Sequence, residues 1–138
     1  MLDLSTQFGR HVNRRLREEQ VIWLITTDAQ HRPQPRPVWF HWDGRTVLIF
    51  SERNTAKLRH IAANPRVALN FNTDADGGDV AVLLGEASIL AEPPASGRIQ
   101  AYLKKYRAGI KDLGMTPTDF TKAFVVPTLV TPQSMRES

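Results

Sequence analysis

Apolar residues recur with two different periods along this chain, and the changes of period mark its elements. From Ser5 to Glu19, Phe8, Val12 and Leu16 fall at helical spacing with arginines on the other face. This predicts an amphipathic helix capped by Ser5. "QVIWLITTD" is a compact β-branched and aromatic run, which predicts a buried strand. "AQHRP" turns the chain and "QPRPVWFHWD" returns as a second strand. Asp43–Gly44 then closes a hairpin into a third, "RTVLIFS". Pro33, Pro35 and Pro37 lack an N–H, so their end of the second strand must be an edge, a bulge or a break in pairing.

"ERNTAKLRHIAANP" reads as a short helix, capped by Asn54 or Thr55 and stopped by Pro65, with Leu58, Ile61 and Ala62 as its buried stripe. "RVALNFNT" is a fourth strand and "DADGGD" a polar turn. "VAVLLGEASILAE" is a long fifth strand, with Gly85 at a bulge or close contact. "PPASGRIQAYLKKYRAGI" opens a helix whose Ile99, Tyr102, Leu103 and Tyr106 share a face. "KAFVVPTLVTPQSMR" is a last strand interrupted by Pro127. The pattern predicts one domain over residues 1–138, of α+β class and mainly β. Six strands with early antiparallel hairpins favour a barrel over a doubly wound sheet. No G-x-G-x-x-G joins a strand to a helix, and "DADGGD" lacks the spacing of a calcium loop.

Composition narrows the chemistry. Without cysteine there are no disulfides, thiol nucleophiles or thiolate-bound metals. No apolar run reaches the length of a membrane span, and the start lacks the basic and apolar regions of a signal peptide, so the expected compartment is the cytoplasm. The net charge of +4 suits a polyanionic small molecule as well as nucleic acid. Arg14, Arg15 and Arg17 read as a solvated helix face rather than a phosphate ridge. No aromatic-basic surface accompanies them, so no nucleic-acid partner is expected.

Candidate chemistry concentrates between Pro37 and Arg59. A helix start offers free N–H groups and partial positive charge. Here Lys57 lies in the first turn, with Ser51, Asn54 and Thr55 as neutral groups and Arg53 able to grip phosphate oxygens. By residue type alone, a phosphate cradle and an ordinary capped helix with solvent-facing cations stand level. The neighbouring strand adds an apolar wall. Trp39 and His41 face opposite to Phe40 and Trp42, so one set can line a pocket while the other packs inside. His41 is a candidate proton donor without a carboxylate or serine partner. The four histidines do not form metal-ligand spacing, and no nucleophile elbow or carboxylate pair supports a hydrolase.

The pairing of "PVWF" with "S-x-x-x-T-A-K-L-R-x-I-x-x-N-P-R-V" resembles the pyridoxamine 5′-phosphate oxidase-like split-barrel superfamily, and within it the probable coenzyme F420-dependent enzymes. The resemblance runs from about Gln20 to Leu90. It implies a six-stranded antiparallel split β-barrel with short flanking helices, working as a homodimer with two cofactor sites at the subunit interface. Pro37, Val38 and Trp39 would run beside the ring system. Ile49, Phe50 and Ser51 would line the site, and Lys57 would meet the phosphate, with Arg53, Asn54, Thr55 and Arg59 on the phosphate side. Asn70 and Asn72 would come from the partner copy. The implied activity is hydride transfer from reduced F420 to a small conjugated substrate. An FMN-dependent oxidoreductase, or a non-catalytic carrier or sensor of flavin or haem, remains the alternative.

Overall fold

The computed structural model describes residues 1–137. Helix α1 spans Gln7–Glu18, and its cap is Thr6 rather than Ser5: the Thr6 hydroxyl accepts the Gly9 N–H at 2.9 Å. Strands β1 (Ile22–Thr27), β2 (Pro33–Val38), β3 (His41–Trp42) and β4 (Val47–Ser51) follow, then α2 (Ala56–Ala63). The chain continues through β5 (Arg66–Asn70), β6 (Val82–Ile89), α3 (Ser96–Lys105), α4 (Arg107–Asp112), α5 (Pro117–Ala123) and β7 (Val126–Arg136). All pairings are antiparallel, in one curled sheet of order β2-β1-β5-β6-β7-β4-β3. The α+β expectation holds. No helix among the described residues is long and apolar enough to cross a membrane.

The sheet has seven strands, not six, because the expected second strand is two. Trp39 and Phe40 leave the ladder between β2 and β3. The Phe40 backbone is satisfied from the end of α3 instead: its N–H donates to the hydroxyl of Tyr106, the α3 C-cap, at 2.8 Å, and its carbonyl accepts from Lys105 Nζ at 2.9 Å. The single Tyr106 proton can go to Gln20 O at 2.8 Å or Phe40 O at 3.0 Å. A backbone group freed from a sheet needs such partners, since a buried orphan is costly.

The proline-rich strand is the sheet's edge. Pro37, Pro35 and Pro33 pair with Trp23, Ile25 and Thr27 in an unbroken register, so their nitrogens all turn away from β1, where no donor is required. Gly85 sits at a register slip. A Cβ there would lie 2.4 Å from the Thr131 carbonyl oxygen, so only glycine fits. Pro127 does not interrupt β7. It pairs with Phe50 and its carbonyl takes the Leu90 N–H at 2.9 Å, just past the last β6 pair, where the missing donor breaks no rung.

Inward-facing residues of the curled sheet and α1 form an apolar interior that includes Leu16, Leu24, Phe40, Ile49, Leu69 and Leu83. Within α2, Leu58 and Ile61 are buried, whereas Ala62 is exposed, so the helical stripe is narrower than expected. Arg15 also departs from a solvated face. It is buried, its guanidinium donates to Asn72 O at 2.7 Å and Asp79 O at 2.6 Å, and it pairs with Glu19 while lying over the Phe71 ring. Three donated hydrogen bonds and a carboxylate partner are what make this buried guanidinium tolerable.

On the outer face, register sets Pro35, Ile25, Ala68 and Leu84 in one row across four strands, and Pro37, Trp23, Asn70 and Val82 in the next. These side chains stay half-buried or exposed, with Leu84 at 41%.

Candidate functional site

Strand alternation turns Phe50 outward from the barrel while Ile49 and Ser51 point in. Phe50 meets Tyr102 of α3 edge to face at 4.8 Å between ring centroids. Around them α3, α4 and α5 assemble a second cluster of Tyr102, Tyr106, Ile110 and Phe120, with Trp39 packed against it. The Trp39 indole stacks on Tyr106 at 4.5 Å, tilted by 2°, and on Phe120 at 5.8 Å. A glycine makes this possible: a Cβ at Gly109 would lie 2.9 Å from the indole ring.

Beside this cluster opens a cavity of about 200 Å³, lined by Pro37, Val38, Trp39, Phe50, Lys57, Tyr102, Leu113, Phe120 and Phe124. Five of the sequence-derived site residues therefore meet on one cavity: Pro37, Val38, Trp39, Phe50 and Lys57. Lys57 is half-buried and has no hydrogen-bond or ion-pair partner among the described residues. Burial holds its pKa below the ordinary lysine value, Glu52 opposes the shift and the charge of Arg36 adds to it. The charge of Arg36 thus reaches Lys57, although Arg36 does not line the cavity and its guanidinium donates to Pro35 O at 2.7 Å. Arg36 escaped the sequence reading.

The other expected residues are placed elsewhere. Arg53, Asn54, Thr55 and Arg59 border a shallow depression with Leu58, Ala62 and Val126, which Lys57 does not line. Asn54 holds a left-handed φ of 63°, and its carbonyl accepts from Arg59 Nη1 at 2.7 Å. Thr55 caps α2 by position without a side-chain bond; its hydroxyl and that of Ser51 are buried without partners among the described residues. Ile49 is buried in the barrel interior. Asn70 donates to Phe71 O at 3.2 Å, and Asn72 Oδ1 accepts from Trp23 Nε1 at 2.8 Å at the edge of the outer face.

His41 lies away from this cavity. Its Nδ1 accepts from Arg98 Nε at 3.2 Å, which leaves the proton of a neutral ring on Nε2. Burial, then Arg98 and Lys105, hold its pKa below the usual histidine value, against Asp43. Arg98 also bonds Thr46 and pairs with Asp43 at 3.1 Å, pinning α3 to the β3–β4 hairpin. The geometry gives His41 a structural part in that clasp.

Residues 8–127 match the pyridoxamine 5′-phosphate oxidase family. The chain belongs to that family. No curated protein matches it. Solved structures in this fold include an F420 reductase, 22% identical with a TM-score of 0.68, covering 91% of this chain and 96% of its own. The haem storage protein HutZ of Vibrio cholerae is 16% identical with a TM-score of 0.70, over 96% of this chain and 95% of that one. An FAD-binding protein of Mesorhizobium loti is 16% identical with a TM-score of 0.67, over 92% and 89%. At such identities the likeness is one of fold, and the family's cofactor chemistry has to be argued from this chain's own residues.

The segment "KKYRAGIKDLGMTPTDF", expected to set pocket specificity, does supply Leu113 and Phe120 to the cavity wall, whereas Phe124, the C-cap of α5, was not legible as site. The α5 signal was present in "TPTD". Thr116 accepts the Asp119 N–H at 3.1 Å, Asp119 accepts the Thr116 N–H at 3.0 Å, and Pro117 opens the helix.

Proposed function

We propose that this chain is an oxidoreductase that binds coenzyme F420 and uses it, reduced, on a small conjugated substrate. What supports this most is Lys57, a half-buried ammonium without a hydrogen-bond or ion-pair partner among the described residues, under the charge of Arg36 and opening on an aromatic-walled cavity. An anionic group docked there would relieve the repulsion between two cations and replace the solvation Lys57 has lost. The residues fit a phosphate-bearing planar cofactor in kind. Lys57 and Arg36 would take the phosphate, and Pro37, Val38, Trp39 and Phe50 would lie beside the rings.

In size the fit needs a second copy. About 200 Å³ falls below the roughly 300–1,000 Å³ usual for ligand pockets. Pro37 belongs both to the cavity and to the half-exposed apolar face carrying Trp23, Ile25, Ala68 and Leu84. A homodimer closing over that face would complete the site and bring Asn70 and Asn72 of one copy towards the cofactor of the other. The cofactor, when bound, supplies the hydride. The chain orients it, excludes water with Trp39, Tyr102 and Phe120, and counters its charge. Protons come from water, because no acid or base lines the cavity apart from Lys57 and Tyr102.

Titration of the purified protein with F420 and with FMN tests this. F420 should bind more tightly, because its polyglutamate tail brings more negative charge to an arginine-rich surface. Lys57→Ala should weaken binding by roughly tenfold to a hundredfold, the worth of one charge-assisted contact at about 1.5–3 kcal/mol. An unchanged dissociation constant sinks the phosphate assignment. Preference for FMN would keep the site and make the chain an FMN-dependent enzyme.

A further inference from the structure

A second cavity, of about 380 Å³, lies between β4, β7 and helices α3 and α5. Its walls are apolar: Phe50, Ile99, Leu103, Phe124, Val126 and Pro127. It shares Phe50, Phe120 and Phe124 with the Lys57 cavity, so the two cavities adjoin and three aromatic side chains line both. Two charged residues border it, Arg53 from the β4–α2 turn and Glu92 from the loop after β6. Neither makes an ion pair or side-chain hydrogen bond among the described residues, and they are not within ion-pair distance of each other. The Thr121 hydroxyl, also at the wall, already donates to Thr118 O at 3.0 Å.

We propose that this cavity is the substrate pocket and that it takes a planar, apolar molecule carrying a single carboxylate, held by Arg53. The inference rests on the cofactor reading above for the word substrate, but the binding it asserts stands without a cofactor. Three aromatic side chains favour a flat, π-rich body. An unpaired guanidinium at the rim of an apolar cavity is complementary to one carboxylate, which it can grip with two parallel N–H bonds. Arg59 stands beside Arg53 on the adjoining surface and strengthens the positive field there. Glu92 on the other side of the mouth opposes a second negative charge, so a dianion is selected against. Arg53 and Lys57 line different cavities, so the two cations can serve different anions.

The test uses the purified full chain without cofactor and three probes: 2-naphthoate, its neutral amide 2-naphthamide, and naphthalene-2,6-dicarboxylate. Calorimetry or the naphthyl fluorescence reads the dissociation constants. The naphthoate should bind at least tenfold more tightly than the amide or the dicarboxylate. Arg53→Gln should abolish the preference over the amide while leaving amide binding as it was. Glu92→Gln should improve the dicarboxylate several-fold, and Thr121→Trp, which fills the cavity, should weaken all three. Lys57→Ala should leave naphthoate binding unchanged. The proposal is overturned if none of the probes binds, or if Arg53→Gln leaves the naphthoate-to-amide ratio intact. It is equally overturned if Lys57→Ala removes naphthoate binding, since the anion would then sit in the other cavity. The cofactor reading fails on a different result, an F420 affinity indifferent to Lys57, so the two failures can be told apart.

Discussion

This chain builds two apolar clusters from the same pool of residues, and they differ in kind. The barrel interior is mostly aliphatic and closed, with Leu16, Ile22, Phe40 and Val47 fully buried. The outer cluster is aromatic and open: Tyr102, Tyr106 and Phe120 are buried, but Trp39, Phe50, Leu103 and Phe124 are only partly so and line the two cavities. The first is framed by long ladders such as β6–β7. The second is carried by helices of ten, six and seven residues. Short helices hold their shape by packing rather than by internal cooperativity. The contrast assigns tasks: the barrel supplies stability, and the aromatic shell supplies a surface that can adapt around ligands.

The largest effect expected from this division is on the barrel. Leu24→Ala, in the middle of β1, should cost about 2–5 kcal/mol, the usual loss for a cavity left in a closed core. Denaturant unfolding followed by far-ultraviolet circular dichroism would show it. A loss under about 1 kcal/mol would mean the interior can collapse, and the contrast with the outer shell would blur.

A smaller and more local effect is expected in the shell. Gly109→Ala places a methyl 2.9 Å from the Trp39 indole, so the stack on Tyr106 must shift. Overpacking of this kind costs about 1–3 kcal/mol where neighbours cannot move. Here the indole borders a cavity and can yield, so the lower end is expected. Near-ultraviolet circular dichroism should change while the far-ultraviolet spectrum does not, and F420 affinity should fall. Global destabilisation equal to that of Leu24→Ala would show that shell and barrel unfold as one unit.

The same contrast governs what could be read from sequence. Most of the strands, an edge as one of three readings of Pro33, Pro35 and Pro37, an irregularity at Gly85 and the limits of α2 are local matters of period and backbone chemistry, and were legible. The split between β2 and β3 was not, because the groups that satisfy Phe40 come from Lys105 and Tyr106, far along the chain. Arg15 looked solvated because its acceptors, Asn72 and Asp79, lie on a distant turn. At the site, Pro37, Val38, Trp39, Phe50 and Lys57 do share a cavity, as strand and helix periods allow. That Arg53 and Lys57 line different cavities, on either side of a left-handed residue at Asn54, is not dictated by composition.

A further predicted effect lies where the two clusters touch. Lys105 donates to Phe40 O at 2.9 Å, and its ammonium sits 3.7 Å from the centre of the Phe40 ring and 5.2 Å from that of Tyr106. Burial lowers its pKa to about 8, with Glu19 as the opposing influence. Cation–π attraction favours the charged form, so desolvation must outweigh it for the shift to persist. The sign follows from linkage: above about pH 8 the folded chain has released this proton while the unfolded chain keeps it, up to the ordinary lysine value of 10.5. Lys105 therefore makes folding stability rise with pH across that window, and it contributes a fixed penalty below it. Lys105→Met keeps the stem over Phe40, loses the donor to its carbonyl and should remove the rise. Unfolding midpoints of both proteins between pH 7 and pH 10 would measure this as a difference in slope. Parallel curves would mean that the aromatic rings, rather than burial, set the charge at this junction, and that the seam between barrel and shell is wetter than its packing suggests.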